Sequence, residues 1–258
     1  MQNSYNRVMN ARSGLRPLGV HYTSALTENF FELHGDRKFK DDGAIVGGIA
    51  ELDGMPVTVI AMERGSAIED RMKRNFGCPS PDGYRKALRL MKQAEKFSRP
   101  VICIINSSGA YCGIDAEERG QGQAIADNLM EMMTLKTPII SIVAGEGGSG
   151  GALALSVADR IIMLENAVYS VISPEGCASI LWKDAKRAPE ASDALKLTAQ
   201  DLFDFGIADE VVAEENRSQD EIDSNLKSVV KKHLKELIKM TDKQLLNERY
   251  EKFRKIGN

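Results

Sequence analysis

Apolar and polar positions along the chain change period several times, and each change marks an element. In "GAIVGGIAELDGMPVTVIAM" two apolar stretches flank Asp53-Gly54, which predicts a β-hairpin. "GSAIEDRMKRNFGCPSP", from Gly65 to Pro81, is rich in charge, Gly and Pro and predicts a loop or a short helix. "DGYRKALRLMKQAEKFS" follows, with Ala87, Leu88, Met91 and Ala94 at helical spacing. Two similar units come next, "RPVICIINSSGAYCG" and "TPIISIVAGEGGSGG". Each has a proline, a run of strand-forming residues and a turn of small residues. Each leads into a predicted helix, "AEERGQGQAIADNLMEMMTLK" after the first and "ALALSVAD" after the second. The pattern is that of an α/β protein with two parallel strands ending in glycine turns. Ligands bind at the carboxyl ends of such strands, so both turns are expected to face one site.

Beyond these units, "RIIMLE" and "AVYSVIS" predict two short strands separated by Asn166, and "PEGCASILW" a helix with Pro174 in its first turn. Near the C-terminus Ile222, Leu226, Val229 or Val230, Leu234 and Leu237 form one apolar stripe of a long charged helix. The first forty residues are polar and basic.

Composition narrows the class. The 258 residues are 43% hydrophobic and 28% charged, with a formal net charge of -3, as expected of a soluble enzyme and without the basic field that nucleic acid or an anionic membrane would require. Cys78, Cys103, Cys112 and Cys177 form no C-x-x-C pair, which argues against a zinc knuckle or a disulfide framework and for reduced thiols. "MQNSYNRVMNARSG" lacks the apolar core of a signal peptide, and no apolar run approaches the ~18 residues of a membrane span. The expected location is the cytoplasm.

The second turn, "GEGGSGGALAL", admits several chemistries. Gly145-x-Gly147-x-x-Gly150 has dinucleotide-binding spacing, with Glu165 twenty residues beyond Gly145. Against that reading, the next helix is short, the strand after it returns at once, and about 140 residues precede the motif. A P-loop would need Gly-Lys-Ser/Thr, but Ala152 follows Gly151. Ser149 as a nucleophile would need a base, and the chain has only three histidines. The glycines could also serve only close strand-to-helix packing. The remaining reading is an oxyanion hole, in which backbone amides free of Cβ atoms meet a developing negative charge.

"RNFGCPSPDGYRKALRLMKQAEKF", "GAYCGIDAEERGQGQAIA", "GEGGSGGALAL" and "VYSVISPEGCASILWKDAKRAPEA" closely resemble the bacterial acetyl-CoA carboxylase carboxyltransferase α-subunit family, and the likeness runs over nearly the whole chain. The resemblance implies a crotonase-like spiral of ββα units with additional helices at both termini. It implies an N-terminal helical or extended segment over 1–40, a carboxyltransferase core over 41–215 and a C-terminal helical extension over 216–258, one domain overall. The implied reaction moves a carboxyl group from carboxybiotin, held on a biotin carboxyl carrier protein, to acetyl-CoA, giving malonyl-CoA. The implied partners are a carboxyltransferase β subunit in an α2β2 assembly, the carrier protein and biotin carboxylase, with zinc only on the β subunit. Gly150 and Gly151, supported by Gly147 and Gly148, would form the oxyanion hole. Gly109, Ala110, Tyr111 and Ala152 would shape the biotin side of the cleft. Tyr111 could equally be a packing residue. Glu117, Glu118 and Arg119 match a block of the family pattern, although charges in a first helical turn are also simple stabilisers. Lys73 and Arg74 could steer CoA phosphates or the β subunit, or form a solvated basic face.

The chain departs from the family pattern where Asn106-Ser107-Ser108-Gly109-Ala110-Tyr111-Cys112-Gly113 replaces Asp-Thr-Pro-Gly-Ala-Tyr-Pro-Gly, losing an acid and two φ-fixing prolines. Asp115 stands where a glycine is usual, and "AMERGSAIED" replaces a more basic segment. The alternatives are a carboxyltransferase for another acyl-CoA, a crotonase-type hydratase or isomerase using Glu146 or Asp115, and a non-catalytic scaffold.

Overall fold

In the computed structural model, which describes residues 3–257, the N-terminal region forms α1 (Ser4–Arg12), α2 (Gly19–Leu26) and an edge strand β1 (Glu28–Glu32). The predicted hairpin follows. Strands β2 (Ile45–Leu52) and β3 (Met55–Met62) pair antiparallel without a register shift. They turn at Asp53 (φ 49°) and Gly54 (φ 79°), the two left-handed positions a tight hairpin needs. A short α3 (Ile68–Lys73) and a 3-10 turn at Asn75–Gly77 occupy the charged stretch before α4 (Pro81–Lys96). Ala87, Met91 and Ala94 of α4 are buried as its periodicity predicts. Leu88 is only half-buried, and Leu90 enters the core instead. Its Cδ1 fills the space beside Gly47 of β2, where an added Cβ would lie 2.6 Å away.

The two repeated units supply the centre of the sheet. β4 (Val101–Ser107) pairs parallel with β3, and β5 (Ile139–Gly148) parallel with β4. Both are buried along almost their whole length, which is why they read as continuous apolar runs rather than as alternating ones. Between them the single predicted helix is two, α5 (Ile114–Glu118) and α6 (Gln121–Thr134). Gly120, at φ 80°, takes the left-handed conformation that separates them at little steric penalty. After β5, α7 (Ser149–Leu153) starts inside the glycine turn, three residues earlier than expected, and ends sooner.

The predicted short strands are β6 (Arg160–Leu164) and β7 (Val168–Ser170). β6 continues the sheet, while β7 pairs with the last three residues of β5. α8 (Pro174–Trp182) begins on Ser173, whose side chain accepts from the Gly176 amide at 3.1 Å. Helices α9 (Ala188–Leu195) and α10 (Ala199–Asp204) lead to β8 (Glu210–Val212), beside β6. The path is β1-β2-β3-β4-β5-β6-β8. α11 (Gln219–Leu237) buries Ile222, Leu226, Val230, Leu234 and Leu237, so Val230 rather than Val229 completes the stripe.

Charged side chains tie the terminal elements to this sheet. The fully buried Arg249 of α12 (Asp242–Lys255) donates to both carboxylate oxygens of Asp159 at 2.8 Å and to the carbonyls of Met132, Leu135 and Thr137. Arg7 of α1 donates to Asn166 Oδ1 at 2.6 Å and pairs with Glu165 and Glu215 at 3.1 Å. Arg16 donates to the Ala144 carbonyl of β5 and pairs with Glu214. The first helix therefore lies across the carboxyl end of β5. Among the described residues no helix is long and apolar enough to cross a membrane.

Candidate functional site

The carboxyl ends of β4 and β5 bring the two glycine turns into backbone contact. A Cβ on Gly148 would sit 2.0 Å from the Ser108 carbonyl oxygen, and one on Gly151 would sit 2.4 Å from the Ala110 nitrogen. Glycine is required at both because no real Cβ approaches backbone that closely. The packing explanation therefore holds for Gly148 and Gly151. It also holds for Gly145, which faces Asn106 Oδ1, and for Gly147, whose Cβ would meet the Tyr169 ring at 2.9 Å. Gly150 differs: a Cβ there would meet only Ile125 Cγ2, at 3.9 Å, so this glycine leaves open space beside its own amide.

The turns use their amides differently. In the first, Gly109 (φ 151°) donates its N–H to Ser107 Oγ at 3.1 Å, and Tyr111 donates its N–H to the Pro79 carbonyl at 3.0 Å. The buried Gln121 side chain holds this turn from behind, its Nε2 donating to the carbonyls of Pro79 (2.8 Å) and Tyr111 (2.7 Å). In the second turn, Ser149, Gly150 and Gly151 are the first residues of α7, so their N–H groups find no carbonyl within the helix, and no side chain caps it. Tyr84 secures the other side of this turn by donating its hydroxyl to the Gly151 carbonyl at 3.2 Å. Burial raises the Tyr84 pKa well above its ordinary value, so it stays a neutral donor.

Two clefts open on either side of Ser149. One, of about 280 Å³, is lined by Ser108, Glu146, Gly147, Gly148, Ser149 and Arg12 among others. The other, of about 310 Å³, is apolar and lined by Gly150, Leu153, Tyr169, Val171, Phe253 and Ile256 among others. Glu146 does not stand free in the first. Arg12 of α1 donates to it at 2.7 Å and to Glu175, in the first turn of α8, at 2.8 Å. Burial opposes the Arg12 charge, but Glu175 and Glu146 outweigh it and hold its pKa above the ordinary value. Burial likewise works against the Glu175 carboxylate, and Arg12 overcomes it to lower that pKa. The backbone of Arg12 and Ser13 is itself held by the Arg64 guanidinium, at 3.5 and 2.5 Å.

Of the residues singled out from the sequence, Gly147 and Gly148 line the first cleft and Gly150 the second, while Gly151, Gly109, Ala110 and Tyr111 line neither, Gly109 and Ala110 being packed against Gly148 and Gly151. Tyr111 is half-buried with its ring against Gly113, and Ala152 is fully buried in α7 and lines neither cleft. Asp115 is exposed and pairs with Arg119 at 3.0 Å, which lowers its pKa, and it too lies outside both clefts. Arg119 also pairs with buried Asp82, while Glu117 and Glu118 are exposed. Arg74 is engaged by Asp70 and the Gly43 carbonyl, and Lys73 is exposed. Glu165 accepts the amides of Glu214 and Glu215 and pairs with Arg7, which makes it a structural anchor and no partner for a ribose. His21, His34 and His233 pair with Asp223, Asp41 and Glu210, and none lines a cleft beside Ser149. All four cysteines are free, and among the described residues no group of three or more His, Cys, Asp or Glu could hold a metal ion. Sequence reasoning missed Arg12, Tyr84 and Gln121, which act on the turns from distant positions.

Known proteins extend this picture. A protein of Clostridium botulinum named acetyl-coenzyme A carboxylase carboxyl transferase subunit alpha is 56% identical over 98% of this chain and 94% of its own length. A Streptococcus gordonii protein of the same name is 53% identical over 96% and 97%. A Clostridium tetani protein named carboxyl transferase subunits beta/alpha is 52% identical, matching 98% of this chain and 45% of that one. Among solved structures, transcarboxylase 12S superposes with a TM-score of 0.73 at 16% identity, over 90% of this chain and 43% of that one. A chain of a Pseudomonas malonate decarboxylase hetero-tetramer superposes with a TM-score of 0.68 at 17% identity, over 90% and 91%. These structures share the crotonase-like fold of ββα units expected from the motifs. With residues 2–257 matched by the family described as acetyl co-enzyme A carboxylase carboxyltransferase-like, the chain belongs to that family.

Proposed function

We propose that the chain is the α subunit of an acetyl-CoA carboxylase carboxyltransferase, moving a carboxyl group from carboxybiotin on a carrier protein to acetyl-CoA to give malonyl-CoA, the first committed step of fatty acid biosynthesis. The observation that carries the reading is the second glycine turn, whose Gly150 and Gly151 amides have no partner in their own helix, with Gly150 lining a cleft and Gly151 buried behind it. The open space beside Gly150 and the mixed polar and apolar cleft lined by Ser108 and Gly147–Ser149 fit a cyclic urea approaching that backbone. When bound, carboxybiotin supplies the activated carboxyl group and, once that has left, a base for the methyl proton.

The chain's own contribution is positional and electrostatic. The Gly150 and Gly151 amides donate to the ureido oxygen as negative charge develops there, and such a donor contributes about 3–4 kcal/mol in comparable sites. Gly147 and Gly148 let the backbone reach that position, with Gly109 and Ala110 packed behind it and Ser108 supplying the first turn's share of the lining. Arg12 neutralises Glu146, so no uncompensated carboxylate repels the developing anion. The acyl-CoA enolate is assigned to a matching turn on a β subunit, and the beta/alpha fusion in the Clostridium tetani relative supports that partner. The α2β2 stoichiometry, the carrier protein, biotin carboxylase, zinc on the β subunit and a cytoplasmic location belong to the same proposal. The hydratase reading is weaker because Glu146 is ion-paired and Asp115 lies outside both clefts.

The test is to purify the chain alone and with a β subunit and to measure biotin-dependent malonyl-CoA decarboxylation. Turnover only by the pair is the expected result. Activity of the lone chain on an enoyl-CoA would overturn the proposal, and a complex without turnover would favour the scaffold.

A further inference from the structure

Ser149 stands at φ 46°, a left-handed conformation that L residues seldom adopt. Other non-glycine residues with positive φ mostly sit where the chain must reverse, such as Asp53 in the hairpin and Lys183 and Lys196 at helix ends. Ser149 instead joins β5 to α7, with Gly147 and Gly148 before it and Gly150 and Gly151 after it. A fifth glycine would take this conformation without strain. The serine therefore keeps a strain of the kind held at binding and switch sites, and its hydroxyl is the feature gained. That hydroxyl has no hydrogen-bond partner among the described residues. It faces the first turn, since a Cβ on Gly109 would lie 3.8 Å from Ser149 Oγ. Ser149 also lines both clefts. No histidine is present there to make it a nucleophile.

We infer that the Ser149 hydroxyl is a ligand-binding group, which donates to or accepts from the polar edge of a cyclic urea held on the Gly150 and Gly151 amides. A hydroxyl suits such an edge because the urea offers both N–H and C=O, and a hydroxyl can pair with either. The inference rests on the proposed carboxyl transfer and adds a side chain to a site otherwise built of backbone.

Ser149→Gly removes the hydroxyl and the strain together, and Ser149→Ala removes only the hydroxyl. In the reconstituted α/β complex, malonyl-CoA decarboxylation is followed with free biotin as acceptor. Both variants are expected to raise the KM for biotin about tenfold, the loss of one hydrogen bond, with the KM for malonyl-CoA unchanged. Ser149→Gly should melt at or above the wild-type temperature. A biotin KM within twofold of wild type in both variants overturns the inference while leaving the carboxyl-transfer reading intact. A lowered melting temperature in Ser149→Gly with both KM values raised also overturns it, because the serine would then be structural. A wild-type complex without biotin-dependent turnover removes the reading and the inference together, a pattern distinct from the other two.

Discussion

The turns after β4 and β5 lie backbone to backbone, yet they are held by different means. The first commits two of its amides, Gly109 to Ser107 Oγ and Tyr111 to the Pro79 carbonyl, and takes its support from the buried Gln121 side chain. The second has its Gly150 and Gly151 amides without a carbonyl in α7 and takes its support from glycine-to-backbone contact, the Tyr84 hydroxyl and Arg12. A turn that has committed donors to its own support has fewer to offer a developing charge. A turn that leaves donors open can bind one, and then needs outside groups to hold its shape. The first turn, which carries no proline, is thus fixed by the Gln121 side chain.

The largest effect should come from breaking the contact between the turns. Gly151→Val places side-chain atoms where Ala110 nitrogen already lies, so the turns must part. Carboxyl transfer should be abolished, and stability should fall by about 3 kcal/mol or more, as for other overpacked sites. Gly150→Ala, where a Cβ has room, should keep the wild-type melting temperature and lose activity alone. Equal melting losses in both variants would show that the two glycines do not differ as described.

Gln121→Ala attacks the first turn from behind. It leaves the buried carbonyl of Pro79 and the half-buried one of Tyr111 without this donor, which should cost about 2 kcal/mol in a denaturant titration. Because the amides proposed to act on the ureido oxygen lie on the other turn, activity at low temperature should fall less than in Gly150→Ala. The reverse order of activities would assign the chemistry to the first turn.

Arg12→Ala removes the link from α1 to Glu146 and Glu175. Small displacements of reacting groups are costly, so the turnover number should drop on the order of tenfold, with little change in the KM for malonyl-CoA. The variant also has a pH signature. The Glu175 pKa is depressed below its ordinary 4.5 in the folded chain, so its contribution to stability is present above that value and is lost as pH falls through the depressed one. Acid unfolding of the wild type should include this loss, and Arg12→Ala should lack it. Identical melting curves for the two proteins from pH 6 down to pH 3 would contradict the pairing.

Much of this arrangement was legible in the sequence because it rests on local rules. The Asp53-Gly54 hairpin, the buried runs of β4 and β5 and the glycine turns all follow from periodicity and turn chemistry. What escaped were contacts between distant residues and choices between near-equivalent neighbours. Arg12 reaches Glu146 across 134 positions and Gln121 reaches Pro79 across 42, and no periodicity encodes such a pairing. Leu90 displaced Leu88 from the core because Gly47, on another element, left room for it. The helix through Gly120 was read as continuous because one glycine weakens a helical pattern without abolishing it, and only its φ of 80° decides the break.

The smallest effect is expected at Asp115, and it bears on which turn could carry acid chemistry. Asp115 replaces a usual glycine at the start of α5, is exposed, and pairs with Arg119 four residues on. Exposed pairs of this kind contribute little to stability. Arg119 keeps its second partner, the buried Asp82, so Asp115→Asn strands no charge. Both the melting temperature and carboxyl transfer by the reconstituted complex should match wild type within error. A hydratase or isomerase, by contrast, would need a carboxylate over the thioester, and the first turn offers only this one. Loss of activity in Asp115→Asn, without loss of fold, would move the chemistry from the amides of the second turn to an acid on the first.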